Sequence, residues 1–564
     1  MKCLVVRVLG LVAGLSGGAW AQDAGVLRQQ IEGNRRIELP QRVLPDGAAK
    51  AVQPLAQSRQ KPVLQIKRFR FLGNTVLSPQ DFEPLLAEYA GKALDIEQLR
   101  DVLGPQVAEL YRRKGWVVNV SLQEPLSPQN EEVVYNITEA RLGRVLFEGN
   151  VPARVSKELV LEVFAYQLGT QNRLNNLNVD RALLLGSDLP GVTVAARQRA
   201  GQAQGLTDVV VTAQDKPALA GDITFDNTGS RSTGAQRWAA NVEWRSPTGH
   251  ADALAISLMH TQGSDYGRLG YTMPVGRDGL RVGANVSKLQ YEVVAPEHLA
   301  LGIQGSSASA GLELNYPLVR ARDRNLYLSG NYDHKGFDNR NKSDGTTSNY
   351  ELDNFTLGLT GNLFDNWGGG GANSANLSLV RGRVNLDGSP NQGSDLRTAN
   401  TQGYFTKLRY TLSRQQTLTP RVSLSAAYSG QIARKNLDGS EKIYLGGASG
   451  VRAYPSSEAG GSDGHLLNLE VRARLADGWD ASVFYDWGRV KQYHDTRFSG
   501  APANNTLALS GRGASLSWRS AQGLILRATW AHRNGANPNP TPAGNDQDGS
   551  LKFNRFWLSA SYAF

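Results

Sequence analysis

The sequence predicts an all-β transmembrane β-barrel of about 16 antiparallel strands, preceded by two small α+β modules. Three observations lead to this fold class. Segments of about ten residues with alternating apolar and polar side chains recur from residue 218 to residue 564. Upstream of them, short motifs repeat at a constant offset. Beyond the first 21 residues there is no run of 18 apolar residues, so a membrane-spanning part of this chain can only be a closed barrel.

The composition is compatible with this fold and excludes several kinds of site. Of the 564 residues, 40% are hydrophobic and 20% are charged, and the mean hydropathy is −0.37. A barrel hides in such averages because half of each strand faces a polar lumen. The net charge of +10 is not concentrated in a basic run, so nucleic acid is not an expected partner. Cys3 is the only cysteine and precedes the expected cleavage site, which excludes disulfides and thiolate metal sites in the mature chain.

The first 62 residues divide into a predicted signal peptide and a polar segment. Met1–Ala21 has a basic start, a short apolar middle and an A-x-A cleavage site at Ala19–Ala21, as secretory signals do. The apolar stretch is too short and too interrupted by glycine for a membrane anchor. Residues 22–62 are predicted to contain a weak helix within Ala24–Arg36 and an extended linker over Gln41–Pro62, with a disordered tail as the open alternative.

An internal repeat predicts two copies of one module, at residues 63–140 and 141–217. Phe71-Leu72-Gly73-Asn74 recurs as Phe147-Glu148-Gly149-Asn150, 76 positions later. Each copy consists of a strand that ends in a Gly-Asn turn, two helical stretches and two further strands. In the first copy the second helical stretch is Asp95–Lys114, where apolar residues at helical spacing form a stripe. A β-α-α-β-β unit of this size is a complete small domain with an open sheet edge.

Residues 218–564 are predicted to form the barrel. In Gln236–Arg245 and Thr401–Ser413, apolar or aromatic residues occupy every second position, as expected for a strand with one lipid-facing side. Tight turns such as Gly276–Gly279 alternate with long polar loops such as Asp333–Tyr350. Short connections on one side and long ones on the other are typical of outer-membrane barrels.

Two stretches are candidates for the functional site. Leu445–His465 is a Gly/Ser-rich loop with one arginine, Arg452. In the strand-like stretch Phe484–Gly488, the period of two puts Asp486 on the face of Phe484 and Gly488, opposite Val, Tyr and Trp. A lumenal carboxylate needs a partner, and an inward-folded loop arginine can supply one. The alternative is that Arg452 is a solvated loop arginine and Asp486 one lumenal acid among several.

The C-terminal stretch has the pattern of an amphipathic strand, and the sequence shows no catalytic motif. Phe556, Leu558, Ala560, Tyr562 and Phe564 share one face, with a chance amphipathic strand as the alternative to a specific signal. The seven histidines are scattered without metal-ligand spacing, and no G-x-S-x-G motif occurs. We therefore expect no catalytic residue, no metal and no cofactor.

These parts in this order resemble the outer-membrane transporters of two-partner secretion, the TpsB proteins of the haemolysin and filamentous-haemagglutinin type. The resemblance covers essentially the whole chain and implies two POTRA domains before a sixteen-stranded barrel, with an N-terminal helix that can plug the pore. The family's inward loop after strand eleven, over 446–464 here, carries Val-Arg-Gly-Tyr, matched by Val451, Arg452, Ala453 and Tyr454 with alanine in place of glycine. The family's F-x-D-x-G is matched by Phe484, Asp486 and Gly488.

The resemblance implies the site and the function. Arg452 would pair with Asp486 inside the barrel, and the C-terminal strand with Phe556, Leu558, Tyr562 and Phe564 would be read by the barrel-assembly machinery. The protein would sit among outer-membrane lipids with its POTRA domains in the periplasm. It would export an unfolded passenger (a TpsA-like adhesin, haemolysin or toxin) recognised by the POTRA domains, and possible activation of the passenger is part of this expectation.

Three other functions are alternatives to secretion. An insertase of the barrel-assembly type shares the motifs but usually carries more POTRA modules. A diffusion porin has neither these modules nor the loop motif. An outer-membrane enzyme would need a catalytic constellation that this sequence does not show.

Overall fold

A computed structural model describes residues 23–33, 64–89, 91–123, 132–169, 173–203 and 205–564 of the protein. The predicted signal peptide, Met1–Ala21, and the predicted linker, Gln41–Pro62, lie outside the described residues. No helix among the described residues has both the length and the apolar character needed to cross a membrane.

Sixteen antiparallel strands close into a barrel, numbered here as barrel strands 1 to 16 in chain order. Each strand pairs with its sequence neighbours, and strand 16 closes the ring on strand 1 through Ser559–Ala563 and Asp222–Asp226. The predicted fold class and strand number are confirmed. The strands are Leu219–Asp226, Arg237–Arg245, Ala253–Thr261, Ser264–Val275, Leu280–Glu292, Ile303–Arg320, Arg324–Asn341, Thr347–Asp365, Gly371–Asn385, Gly403–Thr419, Val422–Ala433, Asp463–Ala476, Trp479–Lys491, Thr506–Arg519, Leu524–Arg533 and Asn554–Ala563.

Alternating side chains give the barrel wall two different surfaces. On barrel strand 9, Leu377 and Leu379 point outward and are about half exposed, whereas Val380 and Val384 are buried in the interior. Exposed leucine, tryptophan and tyrosine side chains occupy corresponding outward positions on the other strands. This outward apolar band is the surface that lipid requires.

The first module contains a three-stranded sheet covered by helices, with strands Arg68–Leu72, Glu132–Glu139 and Val118–Leu122 in that order. The sequence predicted one helix over Asp95–Lys114, but a π-helical segment precedes the α-helix. Pro105 has no N–H to donate, and the Gly104 N–H reaches back five residues to Leu99. The module's helices are Pro79–Leu86, Gln98–Leu103 (π) and Gly104–Arg113, and Leu64–Gln65 pairs with Ala93–Leu94.

The second module repeats this arrangement with its own buried core. Its sheet has the order Arg141–Phe147, Leu206–Asp215, Val192–Ala200. The helices Lys157–Leu168 and Asn176–Ser187 begin at side-chain caps, because Ser156 accepts a hydrogen bond from the Leu159 N–H at 3.2 Å and Asn175 from the Leu177 N–H at 2.8 Å.

The second module docks onto the short turns of the barrel through ion pairs. Arg320 and Arg322, at the turn after barrel strand 6, contact Asp188 and Asp180, each at 2.7 Å. Arg181 lies 3.0 Å from Asp278 in the turn between strands 4 and 5. The side of the barrel with short connections is therefore the side that carries the modules.

Two segments enter the barrel interior. The helix Ala24–Glu32 packs against barrel strands 5, 6 and 7. The long connection between strands 11 and 12 also turns inward and contains the short strands Ile443–Tyr444 and Gly460–Gly461. Other short helices lie in connections: Leu299–Leu301, Trp367–Gly369, Gln392–Arg397 and Gly439–Glu441.

Candidate functional site

The connection after barrel strand 11 forms an ordered inward loop. Its two arms pair as a short antiparallel ladder between Ile443–Tyr444 and Gly460–Gly461. Leu445 and the apolar residues of the motif Val451–Tyr454 are buried in one cluster with residues of the barrel wall. The predicted loop motif therefore packs inside the barrel.

The ion pair that the resemblance implied, between Arg452 and Asp486, is present. Arg452 Nε donates to Asp486 Oδ2 and Nη2 donates to Oδ1, both at 2.9 Å, and the Arg452 backbone N–H adds a bond of 3.0 Å to Oδ2. Asn468 Nδ2 donates to Asp486 Oδ1 at 2.8 Å and to the Gly450 carbonyl at 3.0 Å. Asp486 is fully buried and its oxygens are saturated by donors, as a buried charge requires.

Three further wall residues hold the same arginine. Arg452 Nη1 donates to Glu470 Oε2 at 2.8 Å. The guanidinium stacks on Phe484, with 3.3 Å between its carbon and the ring centroid. Trp557 Nε1 donates to the Arg452 carbonyl at 2.8 Å, which connects the loop to barrel strand 16. The loop is thus anchored to barrel strands 12, 13 and 16 at one residue.

Glycines in the wall make room for the loop. A Cβ at Gly488, the last residue of F-x-D-x-G, would lie 2.7 Å from Leu445 Cδ2. A Cβ at Gly511, on barrel strand 14, would lie 2.5 Å from the Ala453 Cβ. The close approach of loop and wall therefore depends on the missing side chains at both positions.

Ala453 fits its position even though the family has glycine there. The non-glycine residues of the loop with positive φ are Ser457 (φ 68°) and Ala459 (φ 52°), and Ala453 is not among them. The methyl group of Ala453 packs over Gly511. Backbone strain in this loop thus lies a few residues beyond the motif.

A second polar network holds the far arm of the loop, which is the part around Glu458 that leads back to barrel strand 12. Glu458 accepts hydrogen bonds from Asn537 Nδ2 at 3.0 Å and from the Gln547 N–H at 2.9 Å, both in the connection before barrel strand 16. Burial raises the pKa of Glu458 to about 7. In the same connection, the fully buried Asp546 pairs with Arg533 at 2.7 Å and with Arg555 at 3.0 Å.

The helix Ala24–Glu32 carries a second lumenal arginine, Arg28, which is 2% exposed. Its guanidinium donates to Ser307 Oγ at 2.8 Å and also contacts Ser287 and Ser309. Its carboxylate partner is Glu32 on the same helix, at 3.1 Å. The groups of the barrel wall that contact the Arg28 guanidinium are therefore serine hydroxyls.

Further contacts fix the ends of the helix. Asp23 caps it by accepting a hydrogen bond from the Val26 N–H at 2.7 Å. The Ala24 N–H donates to Asn339 Oδ1 at 2.9 Å, and Tyr266 donates to Glu32 at 2.7 Å. Gln30 contacts Ser457, so the helix and the inward loop meet in the lumen. The described part of the sequence-predicted helix ends at Gly33.

The residues of the predicted assembly signal lie on the outer surface of barrel strand 16. Phe556, Leu558, Tyr562 and Phe564 are 63%, 56%, 46% and 50% exposed. They share the lipid-facing side of the strand, as their period of two predicts. Their role as a signal stays a prediction.

Over the described ranges, no group of three or more His, Asp or Glu residues is arranged to hold a metal ion. His465 instead stacks on Tyr428 on the outer wall, and His334 contacts Asp353.

Sequence analysis missed several residues of the site. Asn468 and Glu470 are contributed by barrel strand 12, and their alternation with Leu467 and Leu469 is the signal that could have placed them in the lumen. Ser287, Ser307 and Ser309 give no signal, because small polar residues are common on any lumenal face.

A closed sixteen-stranded barrel, two α+β modules on its short-turn side and an arginine-anchored loop in its lumen define the class of POTRA-plus-barrel outer-membrane transporters. Residues 205–516 match the family of the haemolysin secretion/activation protein ShlB/FhaC/HecB, and residues 64–139 match the ShlB-type POTRA domain. The protein belongs to the ShlB/FhaC/HecB family. It is an outer-membrane transporter of two-partner secretion with periplasmic POTRA domains, and it serves a secreted partner protein.

Several known proteins are similar to this chain. The heme/hemopexin transporter protein HuxB of Haemophilus influenzae (strain 86-028NP) is 24% identical over 570 residues, which cover 99% of this chain and 97% of HuxB. The hemolysin transporter protein ShlB of Serratia marcescens is 27% identical over 78% of this chain and 77% of its own. The structure of CdiB from Escherichia coli aligns with a TM-score of 0.69 at 20% identity and covers 93% of both chains, which supports the fold.

Proposed function

We propose that this protein exports an unfolded passenger through the barrel lumen, and that the helix Ala24–Glu32 and the loop 446–464 close the lumen between transport events. The observation that carries the proposal is the anchoring of the loop inside the barrel by Arg452 and Asp486. A sixteen-stranded barrel encloses a lumen wide enough for an extended chain, so a resting transporter needs an obstruction of this kind.

The edge strands of the modules suit recognition of an unfolded chain. Arg68–Leu72 lies at one edge of the first module's sheet, and Val192–Ala200 at one edge of the second. An unfolded passenger has free backbone donors and acceptors that can add to such an edge as a further strand. Recognition of this kind tolerates many sequences, with side-chain contacts selecting the partner.

A photo-crosslinking residue tests this recognition. We expect a crosslinker at the exposed Arg70, on the edge strand, to capture a translocating passenger more often than one at the exposed Gln80, on the helix of the same module. Equal capture at both positions would argue against strand addition.

The proposal also covers the driving force of export, the activation of the passenger and the assembly of the barrel. The transporter has no enzymatic role, and folding of the passenger outside the cell drives its passage. Release of the passenger in an active form is part of the proposal, since the family is that of a haemolysin secretion/activation protein. The barrel-assembly machinery reads the outward face of barrel strand 16, and the apolar band contacts outer-membrane lipids.

Charge neutralisation tests the function of the loop. We expect Arg452→Gln and Asp486→Asn to lower passenger secretion more than they lower the amount of assembled barrel, which is measured by heat-modifiable mobility. The matched control is Arg472→Gln, which removes a lumenal arginine that also contacts Glu470, at 3.2 Å. Parallel losses of secretion and assembly would reduce the ion pair to a structural role.

A further inference from the structure

The outer wall carries a pair of arginines at the edge of its apolar band that lies away from the short turns. Arg381 and Arg383 follow the outward-facing Leu377 and Leu379 on barrel strand 9, with the same period of two. Both guanidinium groups lie over the ring of Tyr404 on strand 10, with their carbons 5.1 Å and 5.7 Å from its centroid. Tyr404 is 62% exposed, so the group faces the surroundings of the barrel.

The height of this group can be measured along barrel strand 10. At the short-turn end, Arg414 stacks on the exposed Trp367 at 5.3 Å, an arrangement typical of the periplasmic membrane interface. Tyr404 is ten residues further along the strand. At about 3.3 Å per residue and a tilt of about 40°, these residues span about 25 Å of membrane thickness, which is the height of a barrel's apolar band. Tyr404 and the two arginines therefore lie at the level of the outer-leaflet headgroups.

The guanidinium groups have donors to spare at this level. Arg381 Nη1 donates to Thr406 Oγ1 at 2.8 Å. Within the part of the chain that the structure describes, neither Arg381 nor Arg383 forms an ion pair with a carboxylate. Asp353 lies opposite Arg383 in the strand ladder and attracts it electrostatically without a direct ion-pair contact, while its Oδ1 accepts hydrogen bonds from Tyr332 and His334, both at 2.9 Å.

We propose that Arg381 and Arg383, with Tyr404 beneath them, bind a phosphate group of the phosphorylated glycolipid in the outer leaflet. Paired guanidinium groups suit phosphate because each presents two parallel N–H donors to its oxygens. The adjacent leucines contact the acyl chains, and Tyr404 lies at the boundary between apolar chains and polar headgroups. The inference uses the outer-membrane location of the barrel and is independent of passenger transport.

Lipid binding to the purified full-length protein tests the proposal. Bisphosphorylated lipid A is titrated in mixed detergent micelles, and the bound fraction is measured by native mass spectrometry. We expect the double variant Arg381→Gln/Arg383→Gln to bind lipid A at least about tenfold more weakly than the unmodified protein. The matched control, Arg421→Gln/Arg474→Gln, removes two exposed arginines at the short-turn ends of barrel strands 11 and 12 and should bind normally.

The other possible results of the lipid-binding experiment also show whether the proposal holds. Equal weakening in both double variants would mean unspecific charge attraction and would overturn it. Inorganic phosphate that displaces lipid A at equal concentration would mark a site for free phosphate instead. If the double variant fails to assemble, the unmodified protein still decides, because dephosphorylated lipid A must bind about tenfold more weakly than the bisphosphorylated form. A separate secretion assay distinguishes failure here from failure of the transport proposal.

Discussion

The inward loop and the N-terminal helix each place one arginine in the barrel lumen, but the barrel wall receives the two arginines differently. Arg452 meets carboxylates of the wall, Asp486 and Glu470. Arg28 meets serine hydroxyls of the wall and has its carboxylate, Glu32, on its own helix. The positive charge of the loop is therefore neutralised by carboxylates of the barrel wall, whereas that of the helix is neutralised by a carboxylate of the helix itself.

This difference determines what each segment leaves behind when it moves. Removing the loop would leave Asp486 buried without its cation, which is strongly unfavourable. Removing the helix would leave hydroxyl groups, which water entering the lumen can hydrogen-bond. The helix is therefore expected to leave the lumen at a lower cost in free energy than the loop.

The largest expected effect is at the wall carboxylate of the loop. Asp486→Ala leaves Arg452 without its bidentate partner, so we expect the free energy of unfolding to fall by roughly 3–5 kcal/mol. Urea unfolding in detergent, followed by tryptophan fluorescence, measures this loss. Asp480→Ala, on the same strand and outside this contact, is the control. A loss no larger than that of Asp480→Ala would remove the basis of the comparison.

A smaller effect is expected where the loop touches barrel strand 14. Gly511→Ala places a methyl group against that of Ala453 and should cost about 1–3 kcal/mol of unfolding free energy. Adding Ala453→Gly to this variant should restore most of the loss, because one methyl group then fills the shared space. Additive losses in the double variant would mean that the two residues do not meet.

The helix should respond in conductance more than in stability. The double variant Arg28→Ala/Glu32→Ala removes the contacts with the three serines without leaving Glu32 deprived of its cation, so we expect channel openings in planar bilayers to become more frequent. The unfolding free energy of the barrel should change by no more than about 1 kcal/mol. Gln29→Ala on the same helix is the control. Destabilisation as large as that of Asp486→Ala would contradict the distinction between the two segments.

The smallest expected effect is the pH dependence of the far arm of the loop. Burial raises the pKa of Glu458 to about 7 from an ordinary 4.5, so the folded protein retains a proton that the unfolded chain has lost. This contribution to stability is fully present below about pH 4.5 and declines as the pH rises through 7. Limited proteolysis of the loop should therefore be slower at pH 5 than at pH 8.

Glu458→Gln provides the control for this pH dependence, because its amide does not titrate. Loop proteolysis in this variant should lose the part of the pH dependence that comes from Glu458. An unchanged profile would assign the pH dependence to other groups.

The sequence was sufficient for the barrel and for the Arg452–Asp486 contact for different reasons. Alternation along each strand is local, so the lipid-facing and lumenal sides of barrel strand 9 follow from periodicity alone. The arginine contact joins two motifs that recur together in the family, and the resemblance supplied it. The change from π-helix to α-helix at Gly104 depends on Pro105, a local signal that the stripe of apolar residues in Asp95–Lys114 did not reveal.

The rest of the site could not be predicted because its contacts are distant in the chain. Arg28 and Ser307 are 279 positions apart, and Trp557 is 105 positions from Arg452. Gly511 acts by lacking a side chain, and one sequence does not distinguish it from the other 60 glycines. Such contacts depend on strand register around the whole ring.

The bond from Trp557 to the Arg452 carbonyl has a consequence for biogenesis. Trp557 belongs to barrel strand 16, which closes the ring on barrel strand 1. Because the loop tip is hydrogen-bonded to barrel strand 16, it has to enter the lumen before the ring closes or as it closes. Later entry would have to pass through the opening of the closed barrel. Folding intermediates trapped with an unclosed ring should therefore already protect the loop tip from chemical labelling.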